Sequence, residues 1–245
     1  PAYLHAYVLG GTIAIVAVAL FGLSRALDRA SWPKEDRARV MRATSVILIG
    51  WLLAAAGLAW LEAYRGSADR WPTIQYGIAI PILVGLALIA RSPIVGRIID
   101  AVPQSWLVGV QLYRALGVIF LILYAAGELP GLFAWPAGAG DIAIGLSAPL
   151  VALFYARNPE AGAGAVSWWN IAGIADLVVA VATGFLTAPS PLQLFAFDRP
   201  NELVTVFPLV LVPVFLVPLS IVLHAASLAK LQRARGHGHS EFRLN

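Results

Sequence analysis

The sequence predicts an all-α, polytopic membrane protein with seven transmembrane helices, and three observations predict it. Hydrophobic residues make up 60% of the 245-residue chain and charged residues 12%, with a mean hydropathy of +0.80. Soluble domains average about 45–50% apolar and about 25% charged residues. Packing in water cannot hide that much apolar surface, so the expected solvent is lipid. Apolar runs long enough to cross a bilayer recur along the whole chain. The basic residues fall almost entirely in alternate connections between those runs.

Taken in order, the runs place spans at about 3–23, 42–63, 72–91, 104–126, 131–156, 167–187 and 203–229, all within one domain covering 1–245. Each approaches the roughly 20 residues a helix needs to cross the hydrocarbon. The first run has no basic leader and is followed by arginines, so it reads as a retained span. Ser24–Arg42 mixes acids and bases and predicts a short helical connection. Pro130, Pro136, Gly138 and Gly140 make the start of span five the least regular. A loop dipping into the membrane is the alternative there to a helix from Gly131. Ser190–Pro200 is partly apolar and is expected to rest on the membrane surface or cap an opening. Span seven carries Pro208, Pro213 and Pro218, each of which removes a helical hydrogen bond and bends or loosens the helix. Residues 230–245 read as a polar cytoplasmic tail, frayed after Lys230, in which His237 and His239 offer at most a weak metal site.

Charge sets the expected orientation. Thirteen lysines and arginines lie in the odd-numbered connections and the C-terminal tail. Arg65, Arg70 and Arg199 lie on the other side, and Arg114 lies inside a span. That bias puts the N-terminus outside and the C-terminus in the cytoplasm, as in a multi-pass protein of a bacterial inner membrane. Tyr3, Tyr7, Trp60, Tyr64, Trp71 and Tyr76 then group at the outer boundary, and Trp32, Trp106, Trp168 and Trp169 at the inner one. Amphipathic rings prefer headgroup depth.

Two spans carry charges at mid-membrane depth. Arg114 lies on the order of 15 Å in from Gln104, and Asp176 on the order of 14 Å in from Ser167, at the helical rise per residue. Asp141 reaches a similar level if span five begins near Gly131. An ionised side chain there costs at least roughly 2.5–3.5 kcal/mol on insertion scales. Arg114 presents five donors in a fixed fork, so acceptors must face it. At α-helical spacing Gln111, Arg114, Gly117, Val118 and Leu121 share a face. Asp176 shares one with Trp169, Ala172, Gly173, Ala180 and Thr183, and Asp141 with Ala137, Gly138, Gly145 and Ala148. Small faces let helices approach closely or leave room for a ligand. Gln111, Tyr113 and Asn170 are expected to tune the pocket, with Gln75 a further member of the network.

One guanidinium and two carboxylates leave one negative charge in excess. Either one acid is neutral, or a proton or cation joins the cluster. The structural alternative is a buried ion pair that only fixes which helices are neighbours.

Other chemistries are poorly supplied. The net charge of +4 and pI near 9.7 are explained by membrane orientation, so no nucleic-acid partner is expected. With no cysteine there is no disulfide, thiolate metal site or cysteine nucleophile. His5 and His224 read as interfacial side chains at opposite ends of the bundle, too far apart to hold one metal or haem. No HExxH or paired-histidine spacing exists, so no metal or cofactor is expected. Seven spans with an outside N-terminus resemble the layout of rhodopsins and seven-helix receptors. A retinal Schiff base needs a lysine in a span, and Lys34 and Lys230 both read as cytoplasmic, so the layout carries no function.

The sequence thus points to a non-enzymatic protein that binds or moves a small ligand or ion at Arg114, Asp176 and Asp141. Its expected partners are membrane lipid and a small anionic ligand or a proton. The alternative is an accessory subunit or scaffold in an oligomer or larger membrane complex. A lipid-acting enzyme is the third reading, and no nucleophile or metal set supports it.

Overall fold

The computed structural model describes residues 2–241, with side chains for residues 3–234. His237 and His239 therefore lie outside the described side chains. The described residues contain helices and no strand, and seven helical segments are long and apolar enough to cross a membrane. Large apolar side chains such as Ile13, Val46, Leu53, Leu83 and Leu150 are more than half exposed along these segments. In water that surface would drive aggregation. In lipid it is the solvated face.

Spans one and two are the helices α1 (Ala2–Arg29) and α2 (Lys34–Trp60). The expected helical connection between them is instead absorbed into longer helices, leaving only Ala30–Pro33 between them. The turn closes through Trp32 N–H to Leu27 C=O (3.2 Å), with Ser31 in the left-handed region at φ 55°. The same backbone pattern ends α2 at Glu62. It satisfies carbonyls that a helix end otherwise leaves open. Span three is α3 (Ile74–Arg91). A short helix not foreseen from the sequence, α4 (Pro93–Ala101), follows it, capped where the Ser92 hydroxyl accepts from Val95 N–H.

Span four is one rod in three parts: α5 (Gln104–Gly109), a 3-10 stretch over Val110–Gly117, and α6 (Val118–Ala125). Runs of 3-10 helix longer than 3–4 residues are uncommon, and one in mid-helix often marks strain or function. Span five, α7 (Gly131–Arg157), begins at Gly131 and runs through Pro136 unbroken, so the re-entrant alternative is not what forms. Span six, α8 (Pro159–Thr187), starts eight residues before the sequence boundary, with the Asn158 side chain capping Ala161 N–H.

Span seven departs most from expectation. It is not a bent helix from residue 203. A 3-10 turn over Leu203–Thr205 leads into turns, then a π-helical stretch over Val212–Leu216, and only then α9 (Val217–Glu241). Pro208 sits in the non-helical part, Pro213 in the π stretch, and Pro218 directly after it at the start of α9. Leu209, Val210, Leu211, Val214 and Phe215 in this irregular lead-in are fully buried. Irregular backbone at membrane depth survives where protein covers it.

The helix continues past residue 229, and Lys230 lies within it. Its Nζ donates to the carbonyls of Ile99 (3.1 Å), Asp100 (2.8 Å) and Val102 (2.6 Å), closing the C-terminus of α4. A cation there also meets the negative end of the helix dipole.

α7 is the hub. It packs on α8 and along all three parts of span four, while α9 packs on α3, α5 and α8. The glycines of α7 set this spacing. A Cβ at Gly145 would collide with the Ala115 amide, and one at Gly138 would lie 2.7 Å from the Leu121 side chain.

Candidate functional site

The 3-10 stretch aims Arg114. At three residues per turn, positions i, i+3 and i+6 eclipse. Gln111, Arg114 and Gly117 therefore form one inward line, and all three are buried. The α-helical reading added Val118 and Leu121 to that face. The tighter winding turns Val118 out, at 37% exposed, while Leu121 stays half-buried against Gly138 of span five.

Arg114 is enclosed, with its side chain 2% exposed, and its partners come from three other spans. Nε donates to Asp141 Oδ1 of span five at 2.8 Å. Nη2 donates to Asp176 Oδ2 of span six. Nη1 lies 3.1 Å from the Gly173 carbonyl of span six and 3.2 Å from His224 Nε2 of span seven. Both acids thus meet the cation at one level, as the depth arithmetic expected. The space is made by glycine. A Cβ at Gly117 would strike Asp141, and one at Gly140 would fall on the Asp176 carboxylate. One at Gly173 would lie 2.5 Å from His224 Nε2 and 3.2 Å from Arg114 Nη1.

His224 corrects the sequence reading. It is not interfacial but fully buried, packed beside Trp169 with ring centroids 5.1 Å apart. Its Nδ1 lies 2.8 Å from Asn170 Oδ1. Asn170 Nδ2 donates to Val166 C=O and to Ser227 Oγ, both at 2.8 Å, which fixes the amide orientation. Nδ1 must then be the histidine's donor, leaving Nε2 to accept from Arg114. The chain continues through Ser227, whose Oγ accepts from Gln104 Nε2 at 2.6 Å.

Of the remaining expected members, Tyr113 is half-buried and shares a 2.5 Å hydrogen bond with Ser220 Oγ. Gln111 is fully buried and donates to the Ser220 carbonyl at 3.1 Å, so it ties span four to span seven. Gln75 lies in the first turn of α3 and is not among the partners of the cluster. Sequence reasoning missed the roles of His224, Ser220 and Ser227; it placed Gly173 on the face of Asp176 without foreseeing that its carbonyl meets Arg114. The available signal was a histidine followed three residues later by a serine, one face of α9, had the helix been counted from Val217.

Two clefts reach the cluster. The first, about 720 Å³ including its open mouth, runs from Tyr64, Gly66, Pro189 and Ser190 down to Asp141. Its walls are Ile74 and Ile78 of α3, Ala180, Val181 and Phe185 of α8, and the lead-in of span seven. The apolar Ser190–Pro200 segment begins at that mouth, and Leu194 and Phe197 remain exposed. The second cleft, about 510 Å³ on the same basis, lies against α1 and brings Thr12, Tyr113, Arg114 and Ser220 together with Asp141. Phe120, Asp141, Leu177, Val212 and Val217 border both, so the clefts meet at Asp141.

Neither carboxylate is fully used. Asp141 Oδ2 and Asp176 Oδ1 accept no hydrogen bond among the described residues, and the two side chains stay 15% and 17% exposed. No cluster of three or more metal-binding side chains occurs among the described residues.

Residues 71–232 match a family described as a domain of unknown function (DUF8737). The matched stretch holds spans three to seven and every member of the Arg114 cluster. No curated protein and no solved structure matches the chain. The chain belongs to the DUF8737 family.

Proposed function

We propose that this DUF8737 member is a non-enzymatic protein of a bacterial inner membrane that binds, or passes on, a small ligand or ion at the Arg114–Asp141–Asp176 cluster. One observation carries the reading: the two acids share a single guanidinium, each keeps an oxygen without a hydrogen bond among the described residues, and Asp141 borders both clefts. A pair that served only to hold helices together would be expected to close on itself, because an unpaired buried acceptor costs free energy. Arg114 neutralises part of the acidic charge and fixes both carboxylates. Asp141, bordering both clefts, is the group a ligand would meet. Tyr113 borders the same space, while Gln111 and Asn170 hold the surrounding helices in register.

The orientation follows the charge bias, with the N-terminus and the Tyr64 mouth outside and the C-terminus in the cytoplasm. Arg29 over Trp106 (4.6 Å) and Arg97 over Trp32 (4.8 Å) gather cations and indoles at the end assigned to the cytoplasm. This is the pairing expected of an interface belt facing anionic lipid.

The structural alternative rests on its own observation, that one guanidinium bridges spans four, five, six and seven. Native mass spectrometry of the protein released from membranes separates the two readings. Wild type should retain a small-molecule adduct that Asp141→Asn and Arg114→Leu lose, with all three chains inserted. Identical spectra from folded wild type and Asp141→Asn would leave the ion pair purely structural.

A further inference from the structure

The paired clefts narrow the class of ligand, given the reading of the cluster as a ligand site. We propose that they take a lipophilic primary amine, with its apolar body in the first cleft and its ammonium group at the free oxygen of Asp141.

Charge comes first. Asp141 and Asp176 contribute two negative charges and Arg114 one positive. His224 adds none, because its Nε2 accepts from Arg114 while Nδ1 donates to Asn170. A single positive charge therefore completes the site. A carboxylate-bearing ligand would raise the excess instead.

Hydrogen-bond chemistry agrees. An ammonium group carries three donors and no acceptor. Open among the described residues are Asp141 Oδ2, which accepts, and the Thr12 hydroxyl, which can accept or donate, borders the second cleft, is 1% exposed and has no hydrogen-bond partner there. Arg114 turns its donors toward groups of the protein.

The walls set the rest of the molecule. Apart from Asp141, the first cleft is lined below its mouth by aliphatic and phenyl side chains such as Ile78, Phe133, Val181 and Phe185. A hydrated metal ion would find no oxygen ligands along that path. α3 and α8 both pack on α9, and the cleft lies between them.

The side of the cluster toward Gln104 is closed. His224, Asn170, Ser227 and Gln104 fill it with a hydrogen-bonded chain that includes two amides. Binding is therefore one-sided in this conformation.

The test uses the full chain in lipid nanodiscs and three photoreactive probes with a diazirine on a dodecyl chain, ending in an amine, a carboxylic acid or an alcohol. The amine should label cleft residues such as Phe133 and Phe185 saturably, and excess dodecylamine should compete. Asp141→Asn should weaken the amine by about tenfold or more, the scale of a lost charged hydrogen bond. Val181→Trp fills the cleft without touching the cluster and should abolish labelling even if Asp141→Asn fails to fold. Equal saturable labelling by the acid or the alcohol, or amine labelling indifferent to Val181→Trp, overturns the proposal. If the amine fails while the native adduct still depends on Asp141, the ligand class is wrong and the site assignment stands. If both fail, the site assignment falls as well.

Discussion

His224 Nε2 lies 3.2 Å from Arg114 Nη1, so a ring from the last span accepts a hydrogen bond from the cation at the centre of the fourth. Two irregular backbones flank the contact. A 3-10 stretch turns Arg114 inward, and the broken start of span seven places His224 well inside the bundle. The contact requires Gly173, whose missing side chain is the space the imidazole edge occupies. A regular α-helix in span four would keep Gln111, Arg114 and Gly117 on one face but add Val118, which the 3-10 winding turns out. The two distortions are thus part of how the site is assembled.

Replacing His224 should cost stability out of proportion to its size. His224→Ala leaves Arg114 Nη1 and Asn170 Oδ1 each short of a partner and removes the ring beside Trp169. A buried polar group left unpaired costs about 1–3 kcal/mol, more when charged. Thermal unfolding in nanodiscs should show a clear fall in Tm. His224→Gln can keep one acceptor and one donor and should recover part of it. Equal loss in both variants would mean that the ring's packing, not its hydrogen bonds, matters.

The charge count makes an unusual claim about the two acids. Removing one partner of a buried ion pair usually costs about 3–5 kcal/mol. Here Asp141→Asn or Asp176→Asn leaves one cation facing one carboxylate, a balanced pair. Each single variant should therefore unfold close to wild type, while the double variant, with Arg114 alone in the bundle, should lose about 3–5 kcal/mol. The signature is strong non-additivity in a double-mutant cycle. Two large, additive single effects would show that both charges are needed.

How much of this was legible beforehand depended on which residues follow ideal helix geometry. The seven spans were readable because lipid selects long apolar runs, and Arg114, Asp141 and Asp176 were readable because charges in such runs are costly. α7 obeyed the ideal period, so its inward face of Ala137, Gly138, Gly145 and Ala148 was placed correctly. Val118 was misplaced because eight residues of 3-10 helix shift the angular period. His224 was misplaced because depth was counted along a helix assumed to begin at 203, when α9 begins at Val217 and runs on to Glu241. The short α4 was missed because its nine residues follow directly on α3 and are too few to read as a span. The clefts were not legible at all, since they depend on how α3 and α8 stand apart.

Helix contacts at glycine give a steric prediction that is independent of charge. A Cβ at Gly145 meets backbone, the Ala115 amide, which cannot swing aside as a flexible side chain can. Gly145→Ala should destabilise by about 1–3 kcal/mol, the usual cost of overpacking. Gly164 in α8 has nothing within 4 Å of a built Cβ, so Gly164→Ala should be neutral or slightly stabilising through helix propensity. Urea or thermal unfolding of the two variants side by side decides it. A neutral Gly145→Ala would mean that spans four and five can part without loss.

The absence of cysteine turns the orientation into a clean measurement. Single cysteines can be introduced at Ala68, in the exposed turn between α2 and α3, and at Glu35, exposed at the start of α2. The charge bias places Ala68 outside the cell and Glu35 in the cytoplasm. In intact cells a membrane-impermeant maleimide should label Ala68→Cys and spare Glu35→Cys until the cells are permeabilised. The reverse pattern would invert the bundle and put the cleft mouth at Tyr64 and Ser190 in the cytoplasm. Labelling of both positions in intact cells would mean that an even number of spans separates them. They are joined by α2 alone, so that result would remove span two from the membrane.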